Sequence, residues 1–331
     1  MIGGFRAAAP VRLDFAGGWT DVPPFSAREG GVVVSAAIRL FAHAEVRPGG
    51  DGLRLVAEDL DARIDLPSDA VPSPAGPLAL LQAGLHLLPV GPCALTTRSE
   101  APPGSGLGSS GALDVAIVAA LSAARGEARD AREMAELACR LEGVEAGIPG
   151  GRQDQFSAAL GGFLRLEFRD PAAAVEPLAL EPAVAAELER RLVLVYTGAS
   201  RFSGATIERV MLAYERGDRA VTAALHGLRD VAERMTGALR SGDLAAVGAL
   251  LDVNWAHQRT LDPGMCTPLM GRLGQAMREA GILGGKAAGS GAGGSMFFLG
   301  RDDPAPAIAA AQAMEMTVLP VRWEPAGVRQ C

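Results

Sequence analysis

The first hundred residues are divided into apolar, strand-like runs separated by turns. The runs VRLDFAGG, GGVVVSAAIRLFAHAEVR, LRLVAE and ARIDL are rich in apolar and β-branched residues and are broken by glycine and proline, which is typical of strands. A loop follows at 71–77, an apolar helical pattern at 78–88 and an alternating, half-buried strand pattern at 93–100. This part of the chain is therefore predicted to be rich in β-structure.

Helical periodicity becomes the main signal after Ser109. Helices are predicted from Ser109 to about residue 124 and over roughly 130–144, followed by strands at 161–168 and 190–198. The Ala/Pro/Glu-rich segment 171–189 is interpreted as a connector and as a domain boundary. Further helices are predicted at about 203–216, 218–241, 243–260, 266–281 and 304–313, and closing strands at 296–300 and 316–323. This mixture predicts an α+β fold with mixed or antiparallel sheets.

Composition argues against several classes of function. Of the 331 residues, 49% are hydrophobic and 21% charged, and the net charge of −7 does not favour nucleic acid or an acidic membrane as the main partner. No charge-free apolar stretch reaches about 18 residues. The N-terminus carries Arg6, Arg12 and Asp14 where a signal peptide needs an unbroken apolar run, so a cytoplasmic protein is expected. The cysteines and histidines show no metal-binding spacing, so a zinc hydrolase is not expected.

The segment PPGSGLGSSGALDVAIVAAL has the chemistry of an anion-binding loop. Its glycines let backbone N–H groups approach a ligand and adopt positive φ. Two serines then open a helix, whose first amides and dipole attract an anion and whose hydroxyls can cap the helix or reach a metal bound to phosphate. Polyphosphate is the predicted ligand. The phosphate-binding candidates are Pro103, Gly104, Ser105, Gly106, Leu107, Gly108, Ser109, Ser110 and Gly111.

The residues alone leave alternatives for this loop. A Gly/Ser loop before a helix can be a plain connection with an N-cap. Residues 106–111 and 289–294 also match the GxGxxG dinucleotide fingerprint, but Pro102-Pro103 interrupts the approach and neither copy lies in a run of βαβ units. The Walker pattern GxxxxGK[ST] is absent. A second glycine-rich loop, 284–299, is predicted to approach a ligand or another backbone closely, with a tight packing turn as the alternative.

Three ordered segments together resemble the motifs of the GHMP small-molecule kinases. They are APVRLDFAGGWTD at 9–21, PPGSGLGSSGA in the phosphate loop and KAAGSGAGGSMFF near the C-terminus, and they span nearly the whole chain. The segments AGGWTDVPPFSAREGGVVVSAAI, GGRQDQFSAALGGF and VYTGASRFSG look like the D-glycero-D-manno-heptose 7-phosphate kinases and the kinase half of bifunctional L-fucokinases. Trp19 departs from the heptose kinases, which have glycine there, and agrees with the fucokinase-like proteins.

The resemblance implies a two-domain GHMP kinase fold. Its N-terminal half, 1–185, would resemble ribosomal protein S5 domain 2, and its C-terminal half, 186–331, would be ferredoxin-like, with the site in the cleft between them. ATP and Mg²⁺ are the implied cofactors, and a small-molecule sugar or sugar phosphate is the implied partner. The anomeric hydroxyl of D-glycero-D-manno-heptose 7-phosphate is the first candidate acceptor, giving the 1,7-bisphosphate. An L-fucokinase-like free-sugar kinase and a non-catalytic sugar- and ATP-binding regulator are the alternatives, and a homodimer is compatible with each.

The resemblance also implies catalytic and metal-binding roles. Asp154 in GGRQDQF matches the catalytic aspartate, which would accept or orient the proton of the sugar hydroxyl. Arg12 matches the basic partner in the first motif and would hold Asp154 ionised while drawing on the transferring phosphoryl group. Ser110 and Glu142 resemble the magnesium ligand pair, with Glu145 as a nearby rival of Glu142.

The first and third motifs imply the residues that would bind substrate. Asp21 would accept hydrogen bonds from sugar hydroxyls, a turn cap being the alternative. Trp19 would stack on a sugar face or act as an ordinary packing residue. Arg152 and Arg201 are candidates to meet a distal phosphate. The substrate-binding candidates are Gly17, Gly18, Trp19, Thr20, Asp21, Arg152, Gly289 and Gly291.

Overall fold

The computed structural model describes residues 3–198 and 204–330, which form two β-sheets with helices packed against them. The strands are β1 (Phe5–Ala16), β2 (Gly31–Pro48), β3 (Gly52–Ala57), β4 (Ala62–Pro67), β5 (Cys93–Ser99), β6 (Phe163–Arg169), β7 (Ala172–Pro177), β8 (Leu192–Tyr196), β9 (Ile282–Ala287), β10 (Ser295–Gly300), β11 (Thr317–Leu319) and β12 (Arg329–Gln330). The helices are α1 (Phe25–Glu29), α2 (Ala79–Leu87), α3 (Ser109–Ala124), α4 (Ala131–Arg140), α5 (Gln153–Leu160), α6 (Pro182–Arg191), α7 (Gly204–Glu215), α8 (Arg219–Ser241), α9 (Leu244–Leu261), α10 (Pro268–Glu279) and α11 (Ala305–Ala313).

The first sheet is built around the long strand β2. Its order is β12-β1-β2-β5-β3-β4, with β6 on the other end of β2 and β7 on β6. Residues 31–36 of β2 pair with β6 and residues 42–48 pair with β5, because one 18-residue strand is long enough to serve both. The pair β3–β5 is parallel, and the other pairs described in this sheet are antiparallel. Helix α3, apolar on nearly all sides, is buried against β1 and β2.

The second sheet has four antiparallel strands in the order β11-β8-β10-β9. Along the chain, helices separate β8 from β9, a glycine-rich loop joins β9 to β10, and α11 separates β10 from β11. This order gives the expected ferredoxin-like arrangement, and the α+β class is confirmed. The doubly wound parallel sheet that a dinucleotide fingerprint requires is not the architecture of the described residues. None of the described helices combines the length and apolarity needed to cross a membrane.

The segment 171–189 is not the connector that its composition predicts. It contains β7, which pairs with β6 over Ala172–Pro177, and most of α6. Proline at the start of α6 and two arginines in its last turn suit a helix, and Leu188 buries its side chain. The predicted strand at 190–198 accordingly begins only at Leu192. Along the chain, the change from the first sheet to the second falls between β7 and β8, and the last strand, β12, pairs with β1 of the first sheet. The domain boundary at 185/186 stays a prediction.

The two sheets meet through a shared apolar core. Phe15 of β1 lies edge-on to Phe297 of β10, with 5.5 Å between the ring centroids, and both side chains are fully buried. Leu194 and Leu299 of the second sheet belong to the same buried cluster. Aromatic and aliphatic packing of this kind fixes the position of one sheet on the other. As a result, β1, β9 and the loops that follow them lie side by side.

Candidate active site

Arg12 and Asp154 form an ion pair between the first strand and the short helix α5. Arg12 Nε and Nη2 lie 2.8 and 2.7 Å from Asp154 Oδ1. Asp154 is in the first turn of α5, where the helix dipole favours a negative charge. The Asp154 side chain is 27% exposed and the Arg12 side chain 6%, so the carboxylate is open to a ligand and the guanidinium lies behind it.

The Gly/Ser loop ends at the N-terminus of α3, directly beside this pair. Gly104, Gly106 and Gly108 have φ of 64°, 75° and 76°, values that favour glycine. The hydroxyls of Ser105 and Ser109 are buried and have no hydrogen-bond partner among the described residues. Free hydroxyls at a helix N-terminus in a glycine-rich loop suit an anion. Of the predicted loop residues, those lining the cavity are Gly104, Ser105, Gly106, Gly108, Ser109 and Ser110, while Pro103, Leu107 and Gly111 lie outside its wall.

The second glycine loop joins β9 to β10 and packs on the first one. Gly289 lines the cavity, and a Cβ atom there would lie 2.3 Å from the carbonyl oxygen of Gly106. Ser295 N donates to the carbonyl of Ser105 over 2.7 Å. Gly291 lies against Met265 instead of the cavity. The loop therefore serves both as a tight packing turn and, through Gly289, as part of the cavity wall.

Substitution of Gly289 by alanine should separate the two glycine loops. The added methyl group meets backbone, which cannot rotate away, so we expect a loss of about 1–3 kcal/mol in the free energy of unfolding and a loss of catalytic efficiency with ATP. Urea unfolding and steady-state kinetics measure both effects. Gly271→Ala in α10 is the matched control, because its methyl group meets no atom within 4 Å. Equal effects of the two substitutions would contradict the packing argument.

Ser110 and Glu142 lie together at the end of the cavity formed by the N-terminus of α3. Ser110 Oγ donates to Glu142 Oε1 over 2.5 Å, and Gln155 Nε2 donates to Glu142 Oε2 over 2.6 Å. The helix predicted over 130–144 ends at Arg140 and continues as a π-helical turn over Leu141–Glu145, a geometry frequent at functional sites, which carries Glu142. Burial raises the pKa of Glu142 from its ordinary value of 4.5 to about 7, although the bond from Ser110 opposes the shift.

The Ser110–Glu142 pair fits the donor set that Mg²⁺ uses beside a nucleotide. Both atoms are hard oxygens, and magnesium at such sites keeps several waters and takes phosphate oxygens as its other ligands. The described residues hold no group of three or more His, Cys, Asp or Glu side chains suited to a metal. The rival residue Glu145 pairs with Arg140 at 3.0 Å.

The raised pKa of Glu142 predicts a pH-dependent stability. The folded state holds this proton up to about pH 7 and the unfolded state only to its ordinary pKa of 4.5. Stability from this group is thus full below pH 4.5 and is lost as the pH rises to 7. Glu142→Gln should remove this pH-dependent contribution to the free energy of unfolding. The side-chain amide of Gln155 can rotate, so that position 142 keeps its hydrogen bonds to Ser110 and Gln155. Urea unfolding of wild type and variant from pH 5 to 8 measures the difference, and parallel curves would contradict the expectation.

The opposite end of the cavity is formed by the turn after β1. Asp21 Oδ2 accepts hydrogen bonds from the backbone N–H groups of Arg152 and Gln153, at 2.8 and 3.0 Å, so it caps the start of α5 instead of its own turn. Burial raises the pKa of Asp21 to about 6, against the lowering effect of the Gln153 N–H. Gly17 and Thr20 do not line the cavity, and Thr20 Oγ1 donates to the Gly17 carbonyl over 2.7 Å.

Trp19 lines this end of the cavity in an unusual backbone conformation. Its φ is 82°, a value that favours glycine and is rare for a bulky residue. The indole is 5% exposed and belongs to a second apolar cluster with Val22 and Phe25. Its Nε1 is buried without a partner among the described residues. Trp19 is therefore a packing residue with one free hydrogen-bond donor.

Arg152, one of the two predicted distal-phosphate residues, does not line the described cavity. The Arg152 guanidinium donates to the Pro171 carbonyl over 2.9 Å and stacks over Phe156 and Phe168. Arg201 lies outside the described residues. The role of both in phosphate binding stays a prediction.

Three side chains of the site are not predicted from the sequence. Asp14 and Gln153 line the cavity, and Lys286 holds Asp14. The available signal for Asp14 was its spacing of two from Arg12, since alternate residues of a strand share a face. Lys286 lies in a segment whose composition predicts a glycine-rich loop, so the strand β9 that carries it is not predicted.

The lining residues named above share one cavity of about 450 Å³. One end holds the N-terminus of α3 with the Ser110–Glu142 pair, the other holds Trp19 and Asp21, and Asp154 is also in the wall. The cavity thus combines a helix N-terminus suited to an anion, a carboxylate open to solvent and a polar pocket. This arrangement suits transfer of an anionic group to a small polar acceptor.

Comparison with known proteins supports this interpretation of the cavity. The sequence model of the GHMP kinases N terminal domain matches residues 78–162, and that of the GHMP kinases C terminal region matches residues 235–315. A D-glycero-alpha-D-manno-heptose 7-phosphate kinase of Campylobacter jejuni is 30% identical over 88% of each chain. A bifunctional fucokinase/GDP-fucose pyrophosphorylase of Arabidopsis thaliana is 28% identical over 90% of this chain, which spans 30% of that protein. The crystal structure of a D-glycero-D-manno-heptose 1-phosphate kinase from Bacteriodes thetaiotaomicron, 25% identical, superposes with a TM-score of 0.78 over 99% of this chain and 98% of that one.

Proposed function

The chain belongs to the GHMP kinase family, and from this premise we propose that it transfers the γ-phosphoryl group of ATP to the anomeric hydroxyl of a sugar, with D-glycero-D-manno-heptose 7-phosphate as the first candidate acceptor. Family membership makes the protein a phosphotransferase with an alcohol group as acceptor. The observation that carries the proposal is the single cavity in which the Asp154 carboxylate lies with both the α3 N-terminus and the Asp21 pocket. A cytoplasmic location and a homodimer belong to the same proposal.

In this reaction Asp154 acts as the proton acceptor. Its exposed carboxylate takes the proton of the acceptor hydroxyl while the hydroxyl oxygen forms a bond to the γ-phosphorus and the bond to the β,γ-bridging oxygen breaks, releasing ADP. Arg12 keeps the carboxylate in one orientation through its two contacts to Oδ1. An anomeric hydroxyl is more acidic than an ordinary alcohol, which suits a carboxylate base.

The phosphate end of the cavity binds and orients the nucleotide. Backbone N–H groups of the Gly/Ser loop and the first turn of α3 hold its phosphates. Ser110 and Glu142 would hold Mg²⁺, which would neutralise phosphate charge that develops during transfer.

L-Fucose is a second candidate acceptor, favoured by two observations. Arg12 is the one basic side chain among the described residues that line the cavity, and it is paired with Asp154, so an uncharged sugar fits the described wall without a further cation. Trp19 is the residue expected in the fucokinase-like proteins. The names of the two heptose kinase relatives carry different phosphate positions, 7 and 1, so the position of the new phosphate has to be measured.

The test is an ADP-release assay with ATP and Mg²⁺ against D-glycero-D-manno-heptose 7-phosphate, L-fucose, D-galactose and D-mannose. Phosphorus NMR of the product identifies the oxygen that was phosphorylated. The proposal expects one sugar to be turned over far faster than the others, at its anomeric oxygen. Arg152→Met and Arg201→Met then test the distal phosphate, since each should raise the KM for the heptose 7-phosphate and leave that for L-fucose unchanged. Binding of ATP and sugar without turnover would favour a non-catalytic regulator instead.

A further inference from the structure

Asp14 lies in the cavity wall but has no part in the reaction described above. It follows Arg12 by two positions on β1, and its side chain is 3% exposed. The fully buried Lys286 of β9 donates to the Asp14 backbone carbonyl over 2.6 Å and to Asp14 Oδ2 over 3.0 Å. The second carboxylate oxygen, Oδ1, is buried with no hydrogen-bond partner among the described residues.

This arrangement is costly unless a ligand completes it. A buried carboxylate oxygen without a donor loses its hydration and gains nothing in return. Burying the lysine and the aspartate as a pair is itself weak evidence for stability, because desolvation offsets their attraction. A hydroxyl group arriving with a ligand would supply the missing donor. Stability alone therefore does not account for the pair, and recognition of a ligand does.

Two neighbouring side chains also carry a buried polar atom that has no hydrogen-bond partner among the described residues. Trp19 Nε1, a donor, and Gln153 Oε1, an acceptor, are buried without partners in the described part of the chain, and both residues line the same cavity. Gly18 lets the turn pass close to the carboxylate, since a Cβ atom there would lie 2.2 Å from Asp14 Oδ2. Two acceptors and one donor at one end of a cavity match the hydroxyl groups of a sugar, each of which donates and accepts.

We propose that Asp14, held by Lys286, is a specificity-determining residue whose Oδ1 accepts a hydrogen bond from one hydroxyl group of the acceptor sugar. The proposal rests on the proposed function and deepens it. Lys286 neutralises the carboxylate and occupies Oδ2, which leaves a single, fixed acceptor atom for the ligand. One fixed acceptor selects a hydroxyl at one ring position, and an analogue without that hydroxyl leaves Asp14 unpaired.

The experiment combines a variant with deoxy sugars. The acceptor is the sugar of the four-member panel with the highest kcat/KM for wild type, together with its monodeoxy analogues. Asp14→Asn should lower kcat/KM for the parent sugar about 10- to 100-fold, mainly through its KM, with the KM for ATP·Mg²⁺ unchanged. For one monodeoxy analogue the variant and wild type should be equally slow, because the hydrogen bond is absent in both. Asp65→Asn, an exposed aspartate of β4 paired with Arg54 and Arg63, is the control and should change neither constant.

Each outcome bears on the proposal. An equal loss with every deoxy analogue, or a loss in the KM for ATP, would overturn the Asp14 assignment while leaving the kinase intact. Turnover of none of the four sugars by wild type would overturn the proposed function and this assignment with it. If Asp14→Asn does not fold, Asp14→Asn combined with Lys286→Met removes both buried charges together and is expected to fold. The same loss of discrimination at one ring position is expected of that double variant.

Discussion

Asp154→Asn is expected to abolish turnover, lowering kcat by about a thousandfold or more, while ATP binding stays within a few fold of wild type. The amide has the shape of the carboxylate and can still accept from Arg12, so the fold and the phosphate loop keep their geometry. What it loses is the capacity to take a proton. Single-turnover phosphoryl transfer measures the chemistry, and calorimetry with a non-hydrolysable ATP analogue and Mg²⁺ measures binding.

The control for this substitution is Asp51→Asn, an exposed aspartate between β2 and β3, which should be indistinguishable from wild type. Near-normal turnover of Asp154→Asn would refute the assignment of the base. A large loss of ATP affinity with little effect on transfer would assign Asp154 to the nucleotide site instead. The two outcomes are separable because binding and chemistry are measured independently.

The fold class could be predicted because long elements carry their own signal. Helices such as α3, α8 and α9 exceed fifteen residues, and the alternation in β5 is regular, so both types of element are evident from the residues. Short elements were missed where tertiary contacts, not local pattern, stabilise them. Helix α5 has eight residues, and β7 exists because it pairs with β6.

The site itself could be predicted only in part, because its contacts join distant segments. Arg12 and Asp154 are 142 positions apart, and no periodicity connects them, so their pairing came from the family resemblance. Lys286 is a charged residue inside a buried strand, which local preference argues against, and its pairing with Asp14 across the two sheets explains it. The π-helical turn at Glu142 likewise has no sequence signal of its own.

The substitution Arg12→Met should have the second largest effect, because one guanidinium holds three parts of the site. Besides Asp154, Arg12 Nη1 donates to the carbonyl of Gly106 in the first glycine loop over 2.8 Å and to that of Ala288 in the second over 3.1 Å. Methionine fills similar volume and leaves these acceptors unpaired in a buried site. We expect kcat/KM to fall about 10²- to 10³-fold and the free energy of unfolding to fall by about 1–3 kcal/mol.

Arg12→Lys separates charge from geometry in this prediction. A lysine keeps the positive charge but has one compact ammonium group, which cannot reach Asp154 and both loop carbonyls together, so it should recover only part of the loss. Arg6→Met on the same strand is the control: Arg6 is 61% exposed, its pair with Glu45 is superficial, and kinetics should be unchanged. In an Asp154→Asn background Arg12→Met should cost less rate than in wild type, because only its contacts to the two loop carbonyls are then left to lose. Fully additive losses would show that Arg12 acts independently of Asp154, and an Arg12→Lys enzyme with wild-type rates would show that positive charge alone is sufficient.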